Sequence, residues 1–444
     1  MVKKNIIFKT KRLEIRKFKL KYITKDYFEW FNDHSVKKFI QFKPKNFSEL
    51  KKNIKKNIKD KNNLFCGIFY NKIHIGNIKF HNINIKKKEV WIGILIGKKE
   101  FRSAGYATEV ICEALNFLNK KNFLYTFLNV DRRNRPAIKL YKKCGFKEYK
   151  KFKKYITMRS SIFEKKIILG TAQLNSNYGV TNTLNNYLDN SKTLKILKSI
   201  QNTYIQEIDT AINYPFKNKL IKEVKKKIFI NTKILTSDVN KINKILNKIK
   251  KTYVFKNTLI NTIFIHDGWN ISSKNGQNLI HKLNKLKKLK IIKKIGISCH
   301  DANDLQTIIK KPQYDIIQLP YSVVDQRCTK YLKKIKKNNI EIHARSIFLQ
   351  GALLQKVKTN FYLSKIYDKI KLIGKKRLNF LLSFVLDNNN IDKVIIGVRN
   401  KSQLKEILNF TYKIPNQRFC NSLKTKNEKI INPLKWKELK YHER

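Results

Sequence analysis

Two periods of apolar residues alternate along the first 159 residues of the chain. Apolar side chains recur three and four positions apart in 24–40 and 106–121, which predicts amphipathic helices. The runs LFCGIFY (64–70), IHIGNIKFHNI (73–83) and EVWIGILIG (89–97) predict strands of a meander. The elements predicted to follow are a strand at 123–130, a helix at 136–145 that a glycine ends, and a last strand near 149–158. Residues 1–160 are therefore predicted to form an α+β domain.

From Lys166 onward, short apolar segments alternate with lysine-rich amphipathic helices such as 279–290. The eight predicted strands are KIILGTAQ (166–173), EIDTA (207–211), IFINTKI (228–234), TIFIHD (262–267), KIGISCH (294–300), DIIQLPY (315–321), IEIHARS (340–346) and KVIIGVR (393–399). Segments that are apolar on both faces fit a parallel sheet covered by helices. Eight such units predict an α/β fold, a (β/α)8 TIM barrel over 163–415, followed by a C-terminal tail at 416–444.

The formal net charge of +67 suits a polyanionic partner, but its distribution argues against a nucleic-acid-binding function. Lysine outnumbers arginine 85 to 13 and is spread over the whole chain together with Asn and Ile, as an AT-rich coding sequence would produce. A nucleic-acid-binding face concentrates Arg and aromatic side chains in one stripe. Specific nucleic-acid binding is therefore not predicted, whereas weak, salt-sensitive adhesion to anionic surfaces is.

The cysteines and the apolar segments indicate where the protein works. Six cysteines are scattered without a CxxC pair, and no histidine cluster has zinc spacing, so we predict no metal site and a reducing compartment. The N-terminal segment lacks the continuous apolar stretch of a signal peptide. The longest apolar run, around 380–386, is too short to span a bilayer. These features predict a cytoplasmic protein without a membrane span, and they leave the oligomeric state open.

The loop and helix start FRSAGYATEV (101–110) is the first candidate binding site. Arg102, Gly105 and Ala107 form the pattern R-x-x-G-x-A after a predicted strand. Small residues let backbone N–H groups approach an anion closely, and a helix N-terminus adds a partial positive charge. The segment therefore fits a pyrophosphate. The alternative is an ordinary helix start that contains a convenient glycine.

A second segment, NRPAIKLYKKCGF (134–146), adds the pattern N-x6-Y-x-K-x-G-F. Together the two segments resemble the GNAT N-acetyltransferase superfamily, most closely the branches that act on small substrates, such as amino-sugar nucleotides, or on protein N-termini. The resemblance implies that acetyl-CoA is the cofactor and that the loop from Arg102 to Ala107 holds its pyrophosphate. It also implies that Asn134 bonds the pantetheine arm and that Tyr141 protonates the departing thiolate.

One position departs from that resemblance. Trp91 stands in the strand before the loop, where many relatives carry a glutamate that acts as base through water. Glu89 lies two residues away on the same face of the strand, and His74 and His81 are the other candidates for this role. The base of the acetyl transfer is therefore left open.

Four polar residues are predicted to meet at one rim of the barrel. Asp209 and Tyr214 lie at the end of the second predicted strand and just beyond it, while Lys233 and His266 lie at the ends of the third and fourth. Side chains at the C-terminal ends of barrel strands converge, and the active sites of such barrels lie there. The group is either a hydrogen-bonded polar network or a proton-transfer site.

These four residues resemble the catalytic tetrad of the aldo/keto reductase family. The matching segments beyond the tetrad are 168–180, 296–301, 316–327, 344–354 and 395–408. The resemblance implies hydride transfer between NADPH or NADH and a carbonyl.

A free tyrosine, with a pKa of about 10, holds its proton too tightly to protonate the alkoxide unless a nearby ammonium lowers that pKa. Tyr214 is thus expected to be the acid, and Lys233 to lower its pKa. Asp209 is expected to pair with Lys233, and His266 to orient the carbonyl. Pro215 follows the tyrosine in place of the usual glycine, so a displaced acid is to be looked for there.

The same resemblance implies the residues of the coenzyme site. Ser298 and Gln318 stand where family members hold the nicotinamide carboxamide, and Cys299 replaces the usual asparagine. Arg345 stands where many members stack a tyrosine on the nicotinamide. The residues expected to hold the adenosine phosphates, all at the last strand–helix turn, are Gly397, Arg399 and Ser402.

The predicted function is that of a bifunctional enzyme: an acetyl-CoA-dependent N-acetyltransferase joined to an NAD(P)H-dependent carbonyl oxidoreductase, both acting on small molecules. The acetyl acceptor is expected to be an amino-sugar nucleotide or a similar small amine of surface-glycan biosynthesis, because such pathways contain both acetylation and redox steps. One alternative is acetylation of a protein or ribosomal N-terminus, with an unrelated or inactive reductase barrel attached. The other is a non-catalytic basic protein that binds nucleic acid.

Overall fold

A computed structural model describes residues 5–175, 188–216, 218–245, 247, 258–310, 312–355 and 361–436 of the chain. The chain divides into two compact units, Met1–Phe163 and Glu164–Arg444. Of the segments singled out in the sequence, residues 176–180 and the end of the tail, 437–444, lie outside the described residues. In the described part of the chain, no helix is long and apolar enough to cross a membrane.

The first unit is built on one mixed sheet of eight strands. The strands are β1 (Ile6–Lys9), β2 (Glu14–Lys17), β3 (Leu64–Tyr70), β4 (Ile73–Asn84), β5 (Glu89–Ile96), β6 (Tyr125–Asp131), β7 (Lys147–Lys151) and β8 (Tyr155–Ser161). Their order is β1-β2-β3-β4-β5-β6-β8-β7, and β5 and β6 run parallel whereas the other neighbours are antiparallel. The single strand predicted near 149–158 is instead a hairpin: the N–H of Phe152 donates to the oxygen of Tyr155 at 2.9 Å in the turn between β7 and β8, and the two rings stack.

Helices cover both faces of this sheet. They are α1 (Lys25–Asn32), α2 (His34–Lys37), α3 (Phe47–Lys59), α4 (Tyr106–Lys120), α5 (Arg135–Lys143) and the short α6 (Ile162–Lys166). Thr24, Asn46 and Asn134 cap α1, α3 and α5 with side-chain oxygens, as these residue types commonly do. Ile94 of β5 packs in the core that contains α4, whereas the next residue, Leu95, packs in the aromatic core of α1 and α3. Because successive strand residues point to opposite faces, α1 and α3 lie opposite α4.

Strands β5 and β6 pair over only part of their length. Their parallel register stops at the pair Trp91–Phe127, whereas β5 runs on to Ile96. Among the described strands, the second half of β5 has no neighbour on that side, so its backbone N–H and C=O groups border a gap. The loop predicted to bind pyrophosphate follows directly and leads into α4.

The second unit is a closed barrel of eight parallel strands, which confirms the predicted (β/α)8 fold. The strands are β9 (Ile167–Gly170), β10 (Glu207–Asp209), β11 (Ile228–Ile234), β12 (Thr258–Ile265), β13 (Lys294–Ser298), β14 (Ile316–Pro320), β15 (Glu341–Arg345) and β16 (Lys393–Gly397). They follow one another around the barrel in chain order, and β16 pairs with β9 to close it. Their buried, mostly apolar side chains explain why the sequence pattern located them.

The helices of this unit surround the barrel or follow it. They are α7 (Asn190–Ser199), α8 (Lys274–Lys288), α9 (Leu305–Ile308), α10 (Thr329–Lys337), α11 (Phe361–Lys371), α12 (Arg377–Asp387), α13 (Lys401–Leu408), α14 (Gln417–Leu423) and α15 (Glu428–Ile431). In α10, Leu332 and Ile335 are buried while Lys334 and Lys337 are exposed, which is the expected pattern for a helix packed on a sheet. The last two helices lie within the predicted tail.

Ion pairs form the end of the barrel opposite the predicted active site, and we call them the barrel floor. Glu207, Lys294, Glu341 and Lys393 are each the first residue of their strand. Lys393 pairs with Glu207, and Lys294 pairs with Glu341, whose other oxygen is 2.8 Å from Nε2 of the fully buried His343. Each carboxylate is thus compensated by a cation of another strand.

Candidate active sites

A cavity of about 820 Å³ opens at the C-terminal ends of the barrel strands. The predicted residues that line it are Asp209, Tyr214, Lys233, His266, Ser298, Gln318, Arg345, Gly397 and Arg399. Ser402 is not part of this wall, because it is exposed in the first turn of α13. The structure therefore places the predicted tetrad and most of the predicted coenzyme residues around one cavity.

Lys233 and Asp209 form a buried ion pair at the bottom of this cavity. Their side chains are only 4% and 7% exposed. The ammonium of Lys233 also donates to the carbonyl oxygen of Thr210 at 3.1 Å, and Nε2 of Gln318 donates to Oδ2 of Asp209 at 2.6 Å. Both carboxylate oxygens are thus satisfied, so the aspartate is held rigidly and its charge is balanced.

Tyr214 lines the same cavity, so Pro215 does not turn it away from the site. The ammonium of Lys233 lies 5.6 Å from the centre of the tyrosine ring. Burial raises the pKa of Tyr214 above its usual value and Asp209 adds to this rise; the cation that opposes it is Arg345, and not Lys233 as expected from the sequence. In the described residues the hydroxyl of Tyr214 has no hydrogen-bond partner, which leaves its proton available to a bound molecule.

His266 follows β12 directly and stands beside a second histidine, His300. Burial lowers the pKa of His266 to about 4, and the positive charges of Lys233 and Arg345 add to this effect. Nε2 of His300 is 3.1 Å from the backbone oxygen of His266, and the two ring centres are 5.4 Å apart. Sequence reasoning missed His300, although its place two residues after Ser298 at a strand end was a usable signal.

In the first unit, the predicted pyrophosphate loop has an open helix start. Gly105 precedes α4 with a φ of 82°, a left-handed conformation that glycine adopts without strain. No side chain caps α4, in contrast to α1, α3 and α5, so no N-cap side chain accepts from the N–H groups of its first turn. An uncapped helix start of this kind can receive an anion.

The side chain of Arg102 does not point toward this opening. It donates to Oδ2 of Asp33 at 2.8 Å, to Oγ of Ser35 at 2.9 Å and to the backbone oxygen of Ile96 at 3.0 Å, and a further bond reaches the oxygen of Gly97. The N–H groups around Gly105 and Ala107 therefore remain as the groups of the loop that face an anion.

The other predicted acetyltransferase residues lie on α5. Asn134 caps this helix, because its Oδ1 accepts the N–H of Ala137 at 3.2 Å, and its amide nitrogen has no partner among the described residues. Tyr141 is buried, and burial together with the neighbouring Cys144 raises its pKa to about 12. The phenol therefore carries its proton at neutral pH.

Two family descriptions match the chain. The aldo/keto reductase family matches residues 166–419, which is more than half of the 444 residues. The chain belongs to the aldo/keto reductase family. A GNAT acetyltransferase domain matches residues 12–147, so the reductase carries an acetyltransferase domain of this superfamily in front of its barrel.

Solved structures resemble one unit or the other. An aldo-keto reductase of Bacillus halodurans in its apo form is 17% identical, with a TM-score of 0.46; the match covers 54% of this chain and 90% of that one. Spermidine N-acetyltransferase of Vibrio cholerae in complex with CoA and spermine is 22% identical, with a TM-score of 0.30; 34% and 95% of the two chains are covered. A GNAT-family acetyltransferase of Bacillus anthracis is 21% identical, with a TM-score of 0.31 and coverage of 35% and 95%. No curated protein matches the chain.

The reductase cavity offers a donor and an acceptor that fit the carboxamide of a nicotinamide coenzyme. Oε1 of Gln318 and Nε of Arg345 are buried and have no hydrogen-bond partner among the described residues. Nη2 of Arg345 donates to the backbone oxygen of Cys299 at 2.8 Å. The guanidinium therefore lies beside the cysteine that stands in place of the usual asparagine. A primary carboxamide carries one acceptor oxygen and an NH2 donor, so it can satisfy both unpaired atoms.

The turn between β16 and α13 also forms part of the cavity wall. A Cβ atom at Gly397 would approach Oε1 of Gln173 to 2.9 Å, so a larger residue there would displace the end of this glutamine side chain. The N–H of Arg399 donates to Oε1 of Gln403, and Asn400 caps α13 by accepting the N–H of Gln403, both at 2.8 Å. The start of α13 is therefore already capped by the protein itself, unlike that of α4.

The predicted tail contributes to the cavity wall through Ile431, Asn432 and Trp436. The segment is fixed to the barrel, since the N–H of Thr425 donates to the oxygen of Val324 at 2.9 Å. Sequence reasoning missed this contribution, because the segment has no motif and its position depends on the folded barrel.

The candidates for the acetyltransferase base differ in their surroundings. Trp91 stacks on Phe127 at 5.2 Å and carries no ionisable group. Glu89 is half-buried, and burial raises its pKa, as expected of a carboxylate that can take a proton. Burial lowers the pKa of His74 to about 4, and its Nε2 lies 2.9 Å from the backbone oxygen of Gly76. His74 is half-buried like Glu89 and His81, but its ring packs against Trp30 and Phe69, so Glu89 and His81 remain the candidates for the base.

Proposed function

We propose that the barrel reduces a carbonyl compound with NADPH or NADH and that the first domain transfers an acetyl group from acetyl-CoA to an amine. The observation that carries the reductase proposal is the cavity in which the buried Lys233–Asp209 pair, Tyr214 and His266 meet. Gln318 and Arg345 support it, because their unpaired atoms border the same cavity.

Each residue of the tetrad has a physical role in this reaction. His266 is neutral at neutral pH and can donate a ring N–H to the carbonyl oxygen, which orients the substrate. Tyr214 delivers its proton to the same oxygen. The ammonium of Lys233 stabilises the negative charge that the phenol oxygen acquires, and Asp209 holds this ammonium in place. The nicotinamide coenzyme, when bound, supplies the hydride.

Coenzyme binding can be tested by comparing the natural coenzymes with an analogue that lacks the carboxamide. The wild-type barrel should bind NADPH or NADH about 5–10-fold more tightly than the 3-acetylpyridine analogue, since the analogue lacks the NH2 group and leaves Oε1 of Gln318 unpaired. Gln318→Met should remove this preference, whereas Arg345→Lys should weaken both ligands alike. Equilibrium titration of protein fluorescence measures these affinities. Failure of both natural coenzymes to bind would refute the reductase proposal, and a Gln318→Met variant that still prefers the carboxamide would refute the contact.

The acetyltransferase proposal predicts opposite effects of one substitution on stability and on binding. Ala107→Asp places a carboxylate at the second position of α4, where it should stabilise the uncapped helix by about 0.3–1 kcal/mol. The same charge should repel the CoA pyrophosphate and lower the affinity for CoA by at least ~10-fold, because it occupies the N–H groups that an anion needs. Calorimetric titration with CoA and thermal unfolding measure the two effects.

Ser48→Asp is the matched control, because Ser48 is the second residue of the capped helix α3 in the same domain. It should leave CoA binding unchanged. An Ala107→Asp variant that binds CoA as the wild type does would show that the loop is not the pyrophosphate site.

The acetyl acceptor is proposed to be a small amine, and an amino-sugar nucleotide of surface-glycan biosynthesis stays a prediction from the resemblance. The alternative acceptor is a protein N-terminus, which would have to enter the same gap beside β5 as the end of a peptide chain. Release of the CoA thiol in the presence of amino-sugar nucleotides or of N-terminal peptides separates the two. Turnover with peptides alone would refute the small-amine proposal.

A further inference from the structure

The guanidinium of Arg102 is fully engaged within the acetyltransferase domain. Its four hydrogen bonds use four of the five N–H donors of the group, and they end on Asp33, Ser35, the last residue of β5 and Gly97, which follows it. The side chain thus joins the start of the cofactor loop to the junction between α1 and α2. Since little donor capacity remains, the side chain is not arranged to bind a phosphate.

Asp33 is shaped to receive this guanidinium. Its Oδ1 accepts both the N–H and the hydroxyl of Ser35, at 2.9 and 2.7 Å, and so starts α2, while Oδ2 accepts from Arg102. The bonds from Ser35 and then the guanidinium of Arg102 hold the pKa of Asp33 well below its usual range. The carboxylate is only 11% exposed, so its charge depends on these partners rather than on water.

The choice of arginine at this point is informative because the chain uses lysine almost everywhere else, 85 lysines against 13 arginines. A lysine is available nearby: Nζ of Lys99 lies 4.0 Å from Asp33, but its side chain is 79% exposed. A single positive charge would therefore not have required an arginine. The planar guanidinium bonds two side chains and two backbone carbonyls at once, and this geometry requires an arginine.

A second contact ties the same junction to β5. The indole of Trp30 in α1 lies directly on the backbone of Gly97, where a Cβ atom would come within 1.9 Å of it. Helix α1 and the end of β5 are thus packed without a gap, and Arg102 adds a polar bond on top of this apolar contact. Because both contacts are closely packed, a shift of the loop would also displace α1 and α2.

We propose that Arg102 is a positioning residue that couples occupancy of the cofactor loop to the α1–α2 junction, and that it does not itself contact the pyrophosphate. This inference rests on the proposed binding of CoA at the loop. Binding of CoA to the N–H groups of α4 then restricts the motion of α1 and α2 through Arg102 and Asp33. By linkage, the order of α1 and α2 determines how tightly CoA is held.

The test uses the full-length chain with Arg102→Lys, Asp33→Asn and the double variant. Each single substitution should weaken CoA binding about 5–10-fold, and the double variant should be no weaker than either, because both break one contact. Lowering the ionic strength should change CoA affinity equally in the wild type and in Arg102→Lys. The substitution keeps the positive charge and removes only the planar set of N–H donors. Titration calorimetry gives these affinities, and denaturation confirms that the variants are folded.

Hydrogen exchange separates coupling from a merely structural role. CoA should protect the amides of residues 25–37 in the wild type, and this protection should disappear in Arg102→Lys and in Asp33→Asn at saturating CoA. Arg12→Lys is the matched control: Arg12 donates to the oxygen of Ala104 at 3.1 Å and pairs with Glu109, so it holds the loop from the other side without reaching α1. It should weaken CoA binding but keep the protection of 25–37.

Three outcomes would overturn the coupling. One is that Asp33→Asn binds CoA as the wild type does while Arg102→Lys does not, which would make Arg102 a direct ligand. Another is that protection of 25–37 persists in both variants. The third is that the wild type fails to bind CoA at all, which would remove the proposed acetyltransferase function together with the coupling; the first two outcomes leave that function intact.

Discussion

Tyr214→Phe should slow carbonyl reduction by about 10²–10⁴-fold, because the substitution removes the proton donor and nothing else. The ring remains in place above Lys233, and the hydroxyl has no other hydrogen bond among the described residues that its loss could break. Coenzyme affinity should therefore stay within about two-fold of the wild type, which corresponds to less than the cost of one hydrogen bond. Single-turnover oxidation of NADPH or NADH with a panel of small aldehydes measures the rate, and fluorescence titration measures the affinity.

The control for this experiment is another buried tyrosine of the same barrel. Tyr314 donates its hydroxyl to the backbone oxygen of Ile308 at 3.2 Å and does not line the cavity. Tyr314→Phe should cost some stability but leave the rate of reduction unchanged. Unchanged turnover in Tyr214→Phe would remove the tyrosine from the role of acid and would turn attention to His300, the other proton-bearing group beside His266.

Removing one partner of the Lys233–Asp209 pair should destabilise the barrel by about 3–5 kcal/mol, because the other charge would stay buried without compensation. Lys233→Met and Asp209→Leu should both show this loss. The double variant should recover most of it, since two apolar side chains leave no buried charge. The free energy of unfolding of the barrel, obtained from urea titrations followed by circular dichroism, measures the effect.

Lys287→Met provides the comparison for this second result. Lys287 and Asp315 form an ion pair of the same type at 2.6 Å, but their side chains are 38% and 32% exposed. Water can replace the lost partner there, so the loss should be below about 1 kcal/mol. A double variant of the buried pair that is no more stable than the single ones would show that packing around the pair, and not its charge, determines the stability.

The barrel could be predicted from the sequence because each strand is a short run of apolar residues with few alternatives. Several predicted runs are longer than the strands: EIDTA gives only Glu207–Asp209 in β10, although the N–H of Thr210 still donates to the oxygen of Asn231 at 2.8 Å before the chain turns at 211–214. In the first domain, β1 and β2 escaped prediction because charged residues interrupt their short apolar runs. The spacing of Leu50 and Ile54 in α3 is helical, but the surrounding lysines and asparagines obscure it.

The convergence of the four residues on one cavity could be predicted for a related reason: a residue at or shortly after the end of a barrel strand has its position fixed by the strand. Contacts between distant segments could not be predicted in this way. Arg102 meets Asp33, 69 positions earlier in the chain, and nothing in the local pattern of either residue names its partner. The side chain of Arg102 was expected at the pyrophosphate as part of a motif, whereas the structure places it away from the helix start.

The barrel floor has a consequence for the order in which the second unit folds. The pair between Lys393 and Glu207 spans 186 positions and joins the last strand to one of the first. Contacts of such sequence separation form late, since the entropy of closing the long loop must be met before they stabilise anything. Until β16 enters the barrel, Glu207 keeps its hydrogen bond from Asn231 of β11 but lacks its cation, so partly closed barrels are penalised. The ion pair thereby favours a cooperative final step in which the barrel closes completely.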